Sequence, residues 1–144
     1  MTAPTHAALA RFNTHLNCAQ SVFSAFAAQL GLAEETALKL ASPFGGGISR
    51  RGEVCGAVTG ALLALGLARG ASTPERKQEV YDLGQELMRR FEAKHGTILC
   101  RQLIGCDLNT EAGRKQAAEQ QVSTTLCPAF VRDAVEIVQA MMEV

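Results

Sequence analysis

A chain of 144 residues, 47% hydrophobic and 19% charged, can bury roughly two-thirds of the surface its unfolded form exposes, so one domain spanning 1–144 is expected. Its 14 basic and 14 acidic side chains cancel, which argues against the basic footprint of a nucleic-acid binder. The longest apolar run, Val54 to Ala68, would span about 22 Å as a helix, short of the roughly 30 Å hydrocarbon core, so it reads as a buried helix and no membrane partner is expected.

The first stretch, MTAPTHAALARFNTH, lacks a basic region followed by an apolar run of secretory length, so no signal peptide is read and the protein is expected in the cytoplasm. Residues 1–14 read as a loose N-terminal segment. From there apolar residues recur at three and four rather than at two, which predicts an all-α domain of about five or six helices. The first covers Asn17 to Leu30, with Val22, Phe26 and Leu30 on one face and Gly31 stopping it. The second runs from Glu34 to Ala41 and ends before Ser42-Pro43, because the residue preceding a proline is pushed out of the helical region. Phe44 to Ser49 is a glycine-rich turn, followed by a helix from Arg51 to Ala68 that stops near Gly70. Thr73 as cap and Pro74 at the first helical position then open a long helix to about Lys94, with Val80, Leu83, Leu87 and Phe91 as its buried stripe. An irregular segment carries Cys100 and Cys106, and Asn109 caps a polar helix from Thr110 to Gln120. Cys127-Pro128 opens the last helix, which reaches Met142 with Val131, Ala134, Val135, Val138 and Met141 facing inward.

Two features carry chemistry. Gly52, Gly56 and Gly60, at intervals of four, would line one helix face and let another backbone approach closely; an interior glycine costs about 1 kcal/mol against alanine, so close packing is the plain reading. The 5 cysteines, Cys18, Cys55, Cys100, Cys106 and Cys127, are many for a reducing compartment, where catalysis, metal binding or inert burial must explain them. Cys55 falls in the first turns of its helix and Cys127 at an N-cap, and free N–H groups at a helix start favour the thiolate. Arg50, Arg51, Arg101 and Arg132 lie near these sulfurs in the chain and could offset clustered negative charge. His15 and Cys18, at i and i+3, form a weak ligand pair. No C-x-x-C, C-x-x-C-H, G-x-G-x-x-G or G-K-[ST] occurs, so a thioredoxin-type dithiol, a zinc ribbon, covalent haem and nucleotide binding are not indicated.

Four separated segments, NCAQSV at Asn17 to Val22, FGGG with RRGEVCGAVTGAL between Phe44 and Leu63, CRQLIGCDL at Cys100 to Leu108 and CPAFVRDAVEI at Cys127 to Ile137, together resemble the C_GCAxxG_C_C family of cysteine-rich redox-active proteins, whose relatives include domains fused to split-Soret cytochromes. The resemblance implies that Cys18, Cys55, Cys100 and Cys127 are the motif cysteines and meet in space as metal ligands, with Cys106 as an extra. It implies a redox role, and an iron–sulfur cluster as the cofactor, with zinc as the alternative; Gly46, Gly47, Gly56 and Arg51 would line the cofactor. Here the central motif reads Cys55-Gly56-Ala57, followed after two intervening residues by Gly60. The leading reading is therefore a four-cysteine metal centre for electron transfer or redox sensing, partnered by an electron-transfer protein. One rival is a thiol–disulfide oxidoreductase in which Cys55 attacks and a second motif cysteine resolves. The other is a structural-zinc or metal-free interaction module. Enzymatic activity and assembly into a homo-oligomer stay open.

Overall fold

Asn17 starts the central helix of the fold. Its side chain accepts the Gln20 N–H at 2.9 Å while the Gln20 side chain accepts the Asn17 N–H at 3.0 Å, a reciprocal cap that fixes where the helix begins. The structure, a computed structural model, describes residues 1–142. In chain order its helices are α1 (Ala3–Phe12), α2 (Cys18–Ala27), α3 (Glu34–Ala41), a short distorted turn α4 (Gly45–Ile48), α5 (Gly56–Arg69), α6 (Lys77–His95), α7 (Cys100–Ile104), α8 (Glu111–Glu119), α9 (Val122–Thr125) and α10 (Cys127–Met142). Among the described residues there is no strand, only one isolated antiparallel bridge between Val54 and Leu99. The fold is all-α, as its periodicity predicts, with more pieces than the five or six expected because short turns of helix fill the connections.

The core forms where α2, α5, α6 and α10 meet. Val22 and Phe26 of α2, Val58 of α5, Leu87 and Phe91 of α6, and Val131, Val135 and Val138 of α10 are all fully buried. Each such side chain removed from water is worth about 1.5–3 kcal/mol. The α2–α5 crossing is unusually close. A Cβ on Gly60 would stand 2.6 Å from the Ala19 carbonyl oxygen, and one on Gly56 would stand 3.2 Å from both the Ala19 nitrogen and the Cys18 Cβ. Those two glycines are the condition for the crossing. The C-terminal end of α6 is tied to α10 by His95, whose Nε2 lies 2.8 Å from Asp133 Oδ2 between the rings of Phe91 and Phe130.

Several boundaries differ from the periodicity. Residues 1–14, expected to be loose, carry α1, which packs on α2 and α10 with Thr5 and Ala8 fully buried. α5 begins at Gly56 rather than Arg51, because Gly52 adopts φ +71° and cannot continue a right-handed helix. Cys55 is consequently the N-cap, outside the helical turns, and Gly52 does not share a face with Gly56 and Gly60. Residues 52–55 instead pair with 98–101: Cys55 N donates to Ile98 O at 2.7 Å, Cys100 N to Glu53 O at 2.6 Å and Arg101 N to Gly52 O at 3.1 Å. Pro74 opens a 3₁₀ turn ahead of α6, and Thr73 makes no side-chain cap. Thr110, not Asn109, caps α8 by accepting the Gly113 N–H at 2.9 Å, while the Asn109 N–H is taken by Asp107 Oδ1 at 3.0 Å. α6 buries Leu87 and Phe91 fully but leaves Val80 and Leu83 half-exposed, since its first turns project beyond the bundle.

Candidate redox centre

Four of the cysteines stand at helix starts. Cys18 opens α2, Cys55 caps α5, Cys100 opens α7 and Cys127 opens α10. The fold brings these ends together. The α2–α5 crossing sets Cys18 beside Gly56, and the pairing of residues 52–55 with 98–101 sets Cys55 and Cys100 side by side. The ionisation of Cys18 responds to the charges of Cys55, Cys127 and Cys100, that of Cys55 to Cys100 and Cys127, and that of Cys100 to Cys127. Each of the four thus feels the other three. Cys106 adds to the rise of Cys100; its buried sulfur turns to the Ile104 carbonyl at 3.6 Å and to Gln120 Oε1 at 3.9 Å. All five thiols are free.

The four environments are unequal. Burial pushes Cys55 up to about 12, with Cys100 and Cys127 adding to it, although the amide groups of Ala57 and Val58 at the start of α5 pull the other way. Burial, followed by the charges of Cys127 and Cys106, pushes Cys100 up to about 11. Cys18 and Cys127 behave as a pair. The Cys18 thiol donates its proton toward Cys127, which raises Cys18 well above the ordinary thiol value of 9.0, with burial adding to the rise. The same donation stabilises the Cys127 thiolate and lowers its pKa against the opposing effect of burial.

The glycine loop backs this group of sulfurs. From Gly46 to Arg50 five consecutive residues have φ of +63°, +65°, +69°, +52° and +71°, one turn of left-handed helix. For Ile48, Ser49 and Arg50 this conformation costs roughly 1–2 kcal/mol each, because Cβ crowds the following carbonyl. The turn is held by Ser49 Oγ donating to Pro43 O at 2.8 Å, Gly52 N to Gly46 O at 3.2 Å and Glu53 N to Gly47 O at 3.0 Å. Its effect is to press backbone against Cys100: a Cβ on Gly47 would stand 2.6 Å from the Cys100 Cβ. Gly46 faces away, into a groove of about 520 Å³ lined by Asn17, Ser42, Ser49, Arg50 and Leu108.

The residues singled out from sequence divide accordingly. Gly47 lies against Cys100 and Gly56 against Cys18, whereas Gly46 opens on the groove. Arg51 is exposed, and its Nε lies 3.7 Å from Glu53 Oε2. His15 is exposed and precedes α2, so it shares no helical face with Cys18. Ile48, Ser49 and Arg50 carry the strained turn without any signal in sequence, since a β-branched residue and an arginine are poor candidates for positive φ. The pairing of Cys18 with Cys127 has no local signal either.

The fold is a helical domain with four of its five cysteines at helix starts. Over residues 16–141 the chain matches the family described as "Putative redox-active protein (C_GCAxxG_C_C)", and it belongs to that family. No curated protein and no solved structure matches the chain. Among the described residues, no three Cys, His, Asp or Glu side chains are gathered so as to hold one metal ion, and no helix is long and apolar enough to cross a membrane.

Proposed function

We propose that Cys18, Cys55, Cys100 and Cys127 together hold an iron–sulfur cluster through which the protein transfers or senses electrons. The observation that carries this reading is the meeting of four thiols, each at a helix start and each within electrostatic reach of the other three. A dithiol needs two such sulfurs; four cysteines are the ligand set of [2Fe–2S] and [4Fe–4S] clusters. Helix starts offer partial positive charge to thiolates, which works against the burial and the mutual repulsion that raise Cys55 and Cys100 in the metal-free protein. The donor set fits a cluster in kind and number. When bound, the cluster would supply a one-electron couple. The chain supplies the four ligands, the close-fitting backbone of Gly47 and Gly56, and the burial that keeps water from Cys55 and Cys100.

The Cys18–Cys127 pair favours a second reading, in which the protein exchanges disulfides without metal. Cys127, not Cys55, is then the attacking thiol, because Cys55 is buried and held protonated while Cys127 is half-exposed and lowered. The Cys127 thiolate attacks an external disulfide and releases one of its thiolates; Cys18, losing its proton, then displaces the second and closes the Cys18–Cys127 disulfide.

Anaerobic reconstitution with iron and sulfide separates the two. The cluster reading expects visible absorption that bleaches with dithionite, is lost in Cys55→Ser and survives in Cys106→Ser. Colourless wild-type protein that instead loses two thiols on mild oxidation, mapped to Cys18 and Cys127, would replace it with the second reading.

A further inference from the structure

Asn17 does more than cap α2. Asparagine, aspartate and serine cap a helix about equally well, but of the three only asparagine carries an amide that also donates. Here Oδ1 accepts the Gln20 N–H at 2.9 Å, while Nδ2 donates to the Ser42 carbonyl at 3.0 Å, 25 residues along the chain. Gly45 is pressed onto the same amide: a Cβ there would stand 2.5 Å from Asn17 Nδ2 and 2.8 Å from its Cγ. One side chain therefore fixes the start of α2 and, at two points, residues 42–45. That segment in turn reaches two other cysteines. The Phe44 carbonyl oxygen lies 3.3 Å from the Cβ position of Gly56, the residue after Cys55, and the Cys18 Cβ and Ala19 nitrogen lie 3.2 Å from that same position. Gly56 thus sits in a notch formed jointly by Phe44 and the start of α2. Pro43 O accepts the Ser49 hydroxyl at 2.8 Å and Gly45 O accepts the Arg50 N–H at 3.2 Å, which anchors the left-handed turn whose Gly47 abuts Cys100. Cys18 is joined to Asn17 directly in the chain, Cys55 through the notch and Cys100 through the turn. The Cys106 sulfur turns instead to Ile104 and Gln120.

We propose that Asn17 is a positioning residue of the cysteine centre, its amide locking residues 42–45 to the start of α2 so that Cys18, Cys55 and Cys100 keep their relative places. The cap oxygen and the amide donor are separable by substitution, because serine retains an oxygen for the Gln20 N–H and has no group that reaches as the amide does to Ser42. That the thiols so placed are cluster ligands rests on the redox reading above; their placement by Asn17 does not.

The test uses the full chain, reduced and metal-free, labelled with iodoacetamide at one pH and followed at each cysteine by mass spectrometry. A buried thiol is labelled when the structure around it opens, so its rate reports that opening. Asn17→Ser should speed Cys55 and Cys100 by about three- to tenfold relative to the equally buried Cys106, the range for one lost hydrogen bond, with a urea midpoint close to wild type. Gly45→Ala attacks the same contact from its other side. Its backbone, at φ −66° and ψ 158°, suits alanine, so displacement of the Asn17 amide is what the methyl adds, and the same selective acceleration should follow. Neither substitution adds charge beside the thiols. Equal acceleration of Cys55, Cys100 and Cys106 in both variants would reduce Asn17 to a stabilising cap and overturn the proposal, as would unchanged Cys55 and Cys100 rates in Asn17→Ser. In protein reconstituted with iron and sulfide, Asn17→Ser should also release iron to a chelator faster than wild type. Labelling needs no cluster, so selective acceleration in a protein whose wild type takes up no iron would support the positioning role and count only against the cluster reading.

Discussion

At the residue scale, the inequality of the four thiols is the most testable property of the metal-free protein. The lowered Cys127 and the raised Cys18 and Cys55 predict that iodoacetamide at neutral pH labels Cys127 first and Cys55 last, read by mass spectrometry. Cys18→Ala removes the donated proton, so Cys127 should return toward the ordinary thiol value and label more slowly. Labelling of Cys55 ahead of Cys127 would refute the assignment. Cys55 and Cys100 also predict a stability profile. Their folded-state values, about 12 and about 11, exceed the ordinary 9.0, so above that pH the unfolded chain releases protons that the folded chain keeps. The contribution of these two thiols to stability should therefore be level below pH 9.0 and decline as pH rises through the interval, by up to about 1.4 kcal/mol per pH unit for each thiol. Urea titrations of reduced, metal-free protein at several alkaline pH values would show it, and a flat profile would contradict it.

At the scale of elements, the α2–α5 crossing decides where Cys18 meets Cys55, and glycine decides the crossing. Gly60→Ala places a methyl 2.6 Å from the Ala19 carbonyl oxygen and should destabilise the fold, by about 1–3 kcal/mol after the helices shift apart. Gly66→Ala, in the same helix with nothing within 4 Å, should instead stabilise by up to about 1 kcal/mol, the ordinary helix-propensity difference. Opposite signs from the same substitution in one helix, read by urea denaturation, distinguish close packing from propensity. The intervals of Gly56 and Gly60 made this crossing legible in sequence, and proline and periodicity marked α3, most of α6 and, in α10, Val131, Ala134, Val135, Val138 and Met141, but not the buried Phe130, Asp133 and Ile137. What was not legible is tertiary. Nothing in RRGEV forbids a helix; it is the pairing with residues 98–101 and the left-handed Gly52 that hold 52–55 extended. The left-handed turn through Ile48, Ser49 and Arg50 runs against local preference, and is kept only because the surrounding hydrogen bonds and the fit of Gly47 to Cys100 outweigh it.

At the scale of the whole molecule, the bundle holds four helix starts at one place while the core lies along the lengths of α2, α5, α6 and α10. Phe91 stands at the centre of that core, fully buried against His95 and Phe130. Phe91→Ala should cost about 3–5 kcal/mol and loosen α6 from α10. Its loss would show in denaturation as lowered stability of the whole domain, not of one end. Only the four separated segments of the family pattern single out Cys18, Cys55, Cys100 and Cys127 in the sequence, because these residues lie far apart along the chain. Family membership and the convergence of thiols support a redox centre; the cluster is the proposal that unites them. Its most direct measurement is the iron, acid-labile sulfide and free thiol content of wild-type protein purified without oxygen. The account predicts iron and sulfide in equal amounts, with Cys106 the one thiol of the five still open to titration in the folded protein or on gentle unfolding. Iron-free, sulfide-free protein in which all five thiols titrate would contradict it.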